Sequence, residues 1–425
     1  MRSQLYSSTT AQWVSRALPL VLFLLILGVQ EKVSAQGIER ESLAGESAEM
    51  ANKGSDTNQP YNLQVGPVTL RTDASVSTSY NDNISIAHTG RQGDAIIIPA
   101  LGLHALWQAT DLNALTLDLG VGYQWYTTHS SFSSVYVTPN SAAQFNIYTG
   151  DFKINLHDQF SYSSNPILVG QLSNINQFPV FDNTAGFNVD WDLNDIIVSL
   201  GYDHQNQWVY GSSYNYLTYQ TDTVTPKITF EVSKTIDAGL VVALSSMRYN
   251  QNVLNNNTSI QAGPFVKAQL TENLAVDAQL GGDFANYNTG GSSNSTQSSL
   301  AGVYASAGVS HRINDIFSET FTAGRQFIPG VNSNYTQRIY ANYGFNWQAT
   351  NYFTVGTNLW WENLADSSGA YGQNANRYGT GLSLAYNITD RSNLGLSYDY
   401  VLKDANQSAY SYSQNVVTLK YLYRF

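Results

Sequence analysis

The sequence predicts an all-β fold: a transmembrane antiparallel up-and-down β-barrel of about 18 strands, with 16 as the alternative count. Three observations predict it. Apolar and polar residues alternate along most of the chain, charged residues are scarce, and no long apolar run follows the N-terminal segment. Charged residues make up 12% of the chain, well below the usual share in soluble proteins, and there are 29 Tyr. Because only alternate residues of a barrel strand face lipid, such a chain needs no hydrophobic helix.

Alternation with a period of two is clearest between residues 114 and 126. Aliphatic residues occupy the odd positions, ending in Tyr123 and Trp125, while the even positions are mostly polar or Gly. Successive side chains of a strand point to opposite faces, so this pattern predicts a strand with one apolar face. Terminal aromatic residues are typical of the girdles at membrane surfaces. The same analysis predicts strands at 73–88, 94–108, 114–126, 136–148, 151–163, 185–192, 196–209, 221–232, 238–249, 259–270, 275–287, 298–311, 317–328, 335–348, 352–363, 374–387, 393–403 and 412–425.

The connections between these strands come in two sizes. Short turn-like segments such as 234–237 and 271–273 alternate with longer Asn-, Ser- and Gly-rich segments such as 288–298. In transmembrane barrels short turns lie on the periplasmic side and long loops lie outside. The pattern therefore predicts that both termini are periplasmic. The turn signal at 149–151 is the weakest, which is why 16 strands is the alternative.

The N-terminal region has the pattern of a segment that is cleaved off before the protein folds. Arg2 and Arg16 precede an apolar run at 17–29, and Val33-Ser34-Ala35 fits a small-x-small cleavage pattern. We interpret residues 1–35 as a signal peptide, because about 20 apolar residues would be needed for a spanning helix. Residues 36–60 are polar and lack a period, and 61–71 form a short segment that could dock inside or beneath the barrel. Together, residues 36–72 are predicted as a flexible periplasmic segment. The barrel itself is predicted at 73–425.

The last strand ends in Tyr421, Tyr423 and Phe425, which lie on one face by alternation. This ending resembles the closing strand of bacterial outer-membrane β-barrels. The resemblance implies a location in the bacterial cell outer membrane, contact with its lipid and lipopolysaccharide, and recognition of the three aromatic residues by the β-barrel assembly machinery.

A second resemblance lies at the start of the barrel. Residues 79–84 read Ser-Tyr-Asn-Asp-Asn-Ile and are followed by Gly93-Asp94 and by the apolar strand 96–99 with its Pro. This segment resembles the opening of the β-barrel porin families associated with exopolysaccharide export, although Asp82 falls one place later than in their pattern. The alternative is that Asn81 and Asp82 only cap the first hairpin.

Alternation also predicts which charged residues face the lumen. Acidic and basic residues are nearly balanced there, which favours passage of neutral or zwitterionic polar solutes over strong ion selection. The alternative is that these charges pair across the lumen and only keep it wet. Inner or rim aromatics such as Tyr340 and Trp360 could instead stack on sugar rings. The predicted pore-lining residues are Asp118, Asp190, Asp203, Glu231, Asp277, Glu362, Asp399, Lys153, Lys227, Lys267, Arg338 and Lys403.

The longest connection, 164–183, is too apolar for a solvated surface loop. We expect it to fold into the barrel as a constriction or to pack across the barrel mouth, with Ile167, Leu168, Phe178 and Phe181 as its central residues. The alternative is a latch onto a neighbouring protomer.

Other classes of function find little support in the sequence. There is no Cys, the six His are scattered singly, and the net charge of −11 disfavours nucleic acid as a partner. We therefore expect no enzyme activity, no metal and no cofactor. The sequence predicts a porin-like channel for passive passage of small polar solutes. Two alternatives stay open: a conduit for secreted exopolysaccharide, and a structural or adhesive surface barrel. The transported solute and the oligomeric state are not determined by the sequence.

Overall fold

A computed structural model describes residues 62–211, 213–288, 290–291, 298–367 and 372–425. The predicted signal peptide and most of the predicted periplasmic segment lie outside these residues. None of the described helices is long and apolar enough to cross a membrane, a finding that does not bear on strands.

The described chain consists almost entirely of β-strands. A short strand, β1, is followed by 18 long ones, and four single-turn 3₁₀ helices lie in the connections, at Ser130–Phe132, Pro166–Leu168, Asn215–Leu217 and Ser408–Tyr410. The strands are β1 (Leu63–Val65), β2 (Val68–Asn81), β3 (Asp94–Gln108), β4 (Ala114–Tyr126), β5 (Ser134–Thr149), β6 (Phe152–Ser163), β7 (Val180–Asp192), β8 (Ile196–Val209), β9 (Tyr219–Ser233), β10 (Ile236–Tyr249), β11 (Asn257–Thr271), β12 (Leu274–Tyr287), β13 (Ser299–Asn314), β14 (Phe317–Pro329), β15 (Tyr335–Gln348), β16 (Phe353–Asp366), β17 (Asn374–Thr389), β18 (Ser392–Ala405) and β19 (Tyr412–Arg424).

The sheet closes on itself as an up-and-down barrel. Each strand from β2 to β18 pairs antiparallel with the next, and β19 pairs with β2 from Asp73↔Arg424 to Asn81↔Val416. Closure satisfies the backbone groups that an open sheet would leave unpaired at its edges. Over the described residues the barrel has 18 strands, which confirms the predicted fold class and excludes the count of 16. The weakly signalled hairpin is present, and Gly150 supplies its positive φ of 56°.

Three strand boundaries differ clearly from the prediction. Strand β2 begins at Val68, so the barrel starts before residue 73, and β1 forms a short hairpin with the first three residues of β2. The same strand ends at Asn81 instead of continuing to 88, because Asn83 turns the chain by bonding its own neighbours: its side chain accepts from the Ala87 amide at 3.0 Å and donates to the Ala87 carbonyl at 2.9 Å. Strand β7 begins at Val180, which shortens the longest connection to 164–179.

All short turns lie at one end of the barrel, together with the first residue of β2 and the last of β19; we call this the turn end. The other end, the loop end, carries the longer connections 82–93, 127–133, 164–179, 250–256, 330–334 and 406–411, besides 210–218 and others that are only partly described. The structure thus separates short and long connections as the sequence predicts.

The strand register divides the side chains into two faces. The outer face carries large exposed apolar residues, for example Leu101 at 66% and Leu280 at 55% exposure. Aromatic pairs mark its limits: Phe152 stacks on Trp191 near the turn end, and Phe181 stacks on Trp208 near the loop end. The inner face is polar, as at the closing seam, where Ser79 and Thr418 lie 2.8 Å apart through their hydroxyls. An apolar outer band between aromatic girdles and a polar interior are the pattern of a transmembrane barrel.

Candidate functional site

The loop 164–179 leaves the wall between β6 and β7 and returns to almost the same point. The Phe178 amide donates to the Ser164 carbonyl at 2.9 Å, and the Ser164 and Ser134 hydroxyls lie 2.9 Å apart. At its start the Asn165 side chain accepts from the Ile167 amide, which begins the 3₁₀ turn Pro166–Leu168. A compact loop whose ends are tied together in this way is an Ω-loop.

The tip of this loop contacts the opposite wall. On β17 the Arg377 guanidinium donates to the Ile167 carbonyl at 2.9 Å. On β18 the Lys403 ammonium donates to the carbonyls of Gln171 and Leu172, both at 3.2 Å, and to the Ser173 hydroxyl at 3.1 Å. In the ring of 18 strands β17 and β18 are six to eight positions from β6 and β7, so these contacts lie between a third and a half of a turn away. The loop therefore bridges the barrel from wall to wall.

A buried ion cluster supports the bridge. Glu362 on β16 accepts from Arg338 on β15 at 2.7 Å and, through its other oxygen, from Arg377. All three side chains are buried, and Lys403 beside them is fully buried. Gly170 of the loop packs on this cluster, since a Cβ there would lie 2.6 Å from Arg377 Nη1 and 2.8 Å from Leu364 Cδ1. Charges buried this deeply are tolerated only when they are paired and hydrogen-bonded, so the loop carbonyls complete the cluster.

Apolar residues from several loops cover the bridge. Val169, Leu172 and Phe178 form one buried cluster with residues of other connections around the loop end: Ile86, Leu217, Leu254 and Val331. This cluster closes part of the barrel mouth over the bridge.

Backbone and hydroxyl hydrogen bonds hold these loops to one another. The Asn174 and Ile175 amides donate to the Ile86 and Ser85 carbonyls, both at 3.0 Å. Burial raises the pKa of Tyr216 to about 12, so its hydroxyl stays protonated at neutral pH and donates to the Val331 carbonyl at 3.3 Å.

The Asn- and Asp-rich segment at 79–84 forms hydrogen bonds with β19 at the loop end. The Asp82 carboxylate accepts from the Asn415 amide and from the Asn415 side chain, both at 2.7 Å. The Asn81 side chain accepts from the Asn83 amide at 2.9 Å, and Asn83 donates to the Ser413 carbonyl at 2.9 Å. These contacts agree with the hairpin-capping interpretation of the segment.

The strand register places all twelve predicted pore-lining residues on the inner face, in separate groups. Glu362, Arg338 and Lys403 meet in the cluster beneath the bridge. Lys153 lies directly opposite Asp190 in the register, and Asp190 accepts from Ser199 and Asn188. The others are Asp118, held by His104; Asp203, held by His157; Asp399, beside Gly381; Glu231, at the exposed turn end of β9; and Lys227, Lys267 and Asp277, which line one recess.

That recess lies in the inner wall between β9 and β13. Lys267 is directly opposite Asp277, and the Lys227 ammonium lies 5.0 Å from the centre of the Phe265 ring. Thr225, Gln279 and Ser306 complete its lining. Paired charges beside one aromatic face make a mixed surface that suits polar solutes with an apolar part.

The predicted constriction residues separate into two groups. Ile167, Leu168 and Phe178 lie in the bridging loop, and Phe178 is buried in its apolar cover. The assignment of Phe181 was wrong: it belongs to β7 and lies on the outer face, where its ring stacks on Trp208 at 5.5 Å. The loop is fastened inside its own barrel by Arg377 and Lys403, which favours the constriction over a latch onto a neighbouring protomer.

Several site residues were missed by the sequence analysis. Arg377 lies in the same alternating series of β17 as Gly379 and Gly381, which lie on the inner face. This alternation could have identified Arg377 as an inner-face residue. The histidine–carboxylate pairs could not have been found without the register: His104 bridges Asp73 at 3.0 Å and Asp118 at 2.5 Å, and His157 contacts Asp203 at 2.7 Å. In the described part of the chain no three His, Asp or Glu side chains are grouped to hold a metal ion.

The fold and interior together define a large closed β-barrel bridged by one loop. No family model matches the chain, and no curated protein matches it. Among solved structures it is similar to OccK2 (OpdF) of Pseudomonas aeruginosa, with 10% identity and a TM-score of 0.48, over 84% of this chain and 98% of that one. It is also similar to OpdK of Pseudomonas aeruginosa (10% identity, TM-score 0.47, 84% and 99% covered) and to OpdQ of the same organism (10%, 0.46, 85% and 100%).

Proposed function

We propose that the protein is an outer-membrane, porin-like channel through which small polar solutes pass passively, with loop 164–179 as its constriction. The observation that carries the proposal is the bridge itself: a loop that crosses a polar barrel interior and is held to the far wall by Arg377 and Lys403. A plug would need to fill the cross-section, whereas a single bridging loop narrows it.

The outer surface supports the membrane location. Its apolar band lies between aromatic pairs. A closed β-barrel can span a bilayer because neighbouring strands hydrogen-bond all of its backbone groups. In this placement the turn end and both strand termini face the periplasm and the loop end faces outside. The surrounding partners are then outer-membrane lipid and lipopolysaccharide.

The interior charges support weak ion selection. Most of the predicted inner charges have a partner of opposite sign or a hydrogen-bond donor within the wall, as for Glu362 and Asp190. Paired charges keep the lumen hydrated without creating a strong net field. Neutral or zwitterionic solutes fit such an interior best, and the recess at Lys227 and Phe265 offers them a contact on the wall.

Planar-bilayer recording of the purified mature protein tests the proposal. We expect discrete, steady conductance steps that scale with bulk ion conductivity. A complete absence of steps from correctly folded protein would reject the channel and leave the structural or adhesive surface barrel, which the apolar cover at the loop end favours.

A conduit for exopolysaccharide is the second candidate, favoured by two inner-face aromatics. Tyr340 and Trp360 each lie beside an arginine, at 5.0 and 5.1 Å from the guanidinium of Arg338 and Arg377 respectively. Aromatic faces of this kind can stack on sugar rings. In the same bilayer recording, a low conductance blocked by added oligosaccharide would favour the conduit over the open porin.

The C-terminal aromatics are proposed as the signal to the β-barrel assembly machinery. Tyr421 and Tyr423 lie on the outer face of β19, and the Tyr423 and Phe425 rings meet edge to face at 5.4 Å. We expect Phe425→Ala to lower the amount of assembled barrel in cell membranes, measured by the heat-modifiable band on gels. The stability of refolded protein should hardly change, because the Phe425 side chain is 51% exposed.

The control for this prediction is Tyr386→Ala, which removes an equally exposed outer-face aromatic far from the C-terminus. Equal assembly losses for the two variants would show that Phe425 acts as an ordinary lipid-facing residue.

A further inference from the structure

The outer face is not apolar everywhere. On β6 to β9 it carries a group of polar residues, which we call the outer polar strip: Asp158, Asn183, His204, Asn206 and Asp222. The register places them in two adjacent rows, because Asp158, Ala185, His204 and Asp222 oppose one another in turn, as do Phe160, Asn183 and Asn206. By contrast, the outer-face positions of β3 and β4 carry no charge between Ala95 and Trp107 or between Leu115 and Trp125.

The strip lies inside the limits of the apolar band. On the loop side it is followed by Phe181 on β7, Trp208 on β8 and Gln220 on β9, and on the turn side by apolar residues down to Phe152 and Trp191. Asp158 is six residues from Phe152, about 15 Å above it for a rise of roughly 3.3 Å per residue and a tilt of about 40°. A carboxylate exposed at that depth faces hydrocarbon, which offers it no hydrogen-bond partner.

The strip's own hydrogen bonds satisfy only part of its capacity. His204 contacts Asp222 at 2.8 Å, Tyr202 donates to the same carboxylate at 2.9 Å, and Asn183 donates to Asp158 at 2.5 Å. A carboxylate can accept about four hydrogen bonds, and a primary amide can donate two and accept two. The groups therefore have capacity left that lipid cannot fill.

We propose that the outer polar strip is the contact surface for a second copy of this chain in the membrane. The proposal rests on the membrane placement given above. Two barrels related by an axis along the membrane normal keep every residue at the same depth, so the strip of one copy meets the strip of the other. The side-chain amide of Asn206 both donates and accepts, so it can pair with the same amide of the second copy. The strip also carries two carboxylates, which accept hydrogen bonds, and a histidine, which can donate one.

Size and charge favour a second copy over other occupants. Four neighbouring strands about 4.8 Å apart, across a band about 25 Å high, present an area of several hundred Å², the order of one side of a stable interface. Phosphate groups of lipopolysaccharide are a poorer match, since Asp158 and Asp222 would repel them and the charge of Arg248, the exposed outer-face cation beside Asp222, is offset by that carboxylate.

A single-cysteine experiment tests the inference, because the chain has no native Cys. Asn206→Cys, placed in the strip, is expected to give a disulfide-linked dimer on oxidation in native membranes. Thr380→Cys, on the outer face of β17, is the matched control and should stay monomeric. Equal cross-linking at both positions, or none at Asn206 together with a monomeric mass for the wild type in lipid nanodiscs, would overturn the proposal.

A second variant separates this inference from the channel function. Asn183→Leu with Asn206→Leu should convert the wild-type oligomer to monomer by light scattering in nanodiscs, while the conductance of each barrel is unchanged. An oligomer that persists in this double variant would contradict the assigned surface. Wild-type barrels that are monomeric but lose bound lipopolysaccharide when the strip is changed would assign it to lipid and also overturn the proposal. Loss of conductance in the wild type would instead count against the proposed function.

Discussion

Replacement of residues 167–177 by a short Gly-Ser linker is expected to raise the single-channel conductance several-fold. The reason is geometric: the loop crosses from β6–β7 to β17 and β18, and the change removes the bridge while Ser164 and Phe178 still join its ends. The measurement is planar-bilayer recording of purified, heat-modifiable barrel.

The matched control is a Gly-Ser replacement of equal length, which keeps the chain but removes its contacts with Arg377 and Lys403. Because such a loop is unanchored, we expect a noisy conductance between that of the wild type and that of the shortened variant. Unchanged conductance in the shortened variant would show that the bridge is not the narrowest part of the pathway.

Glu362→Ala is expected to lower the free energy of unfolding by about 3–5 kcal/mol, the usual cost of breaking a buried ion pair. Glu362 is the carboxylate shared by Arg338 and Arg377, so its loss leaves two buried guanidinium groups without their counter-charge. Arg377 also holds the Ile167 carbonyl, so the loop tip should loosen as well. The measurement is urea unfolding in lipid vesicles, with conductance noise recorded in parallel.

The control is Glu231→Ala, a carboxylate on the same inner face that is exposed at the turn end. Its effect on the free energy of unfolding should stay within about 0.5 kcal/mol, as for most surface substitutions. Similar small effects for both variants would mean that the buried cluster contributes no net stability.

The fold could be predicted from the sequence because a barrel strand repeats one simple pattern. The period of two gave the face of each charged residue without any knowledge of its neighbours, and all twelve predicted inner residues lie on the inner face. Phe181 is an exception: the same rule places it in the lipid-facing series of β7, but the sequence analysis assigned it to the loop. Placing it in the loop failed because the apolar run continues from loop to strand without a break.

The site itself could be predicted only in part. The alternation of side chains along a strand gives the face of each residue, but it does not show which residues of different strands are in contact. The contact between Lys403 and Ser173 joins positions 230 residues apart, and it depends on which strand lies opposite the loop. The pairing of His157 with Asp203 likewise depends on the register of β6 and β8 with β7, the strand between them. The end of β2 was missed because Ile84 and Ile86 continue the apolar alternation, while the side chains of Asn81 and Asn83 bond the backbone and end the strand.

Liposome swelling with neutral sugars of increasing size tests the central claim most directly, since it measures solute passage through the bridged barrel without an electric field. The account predicts rapid swelling with a monosaccharide, slow swelling with larger oligosaccharides, and loss of this size discrimination when residues 167–177 are replaced. Vesicles that contain folded wild-type protein and admit no sugar of any size would contradict it.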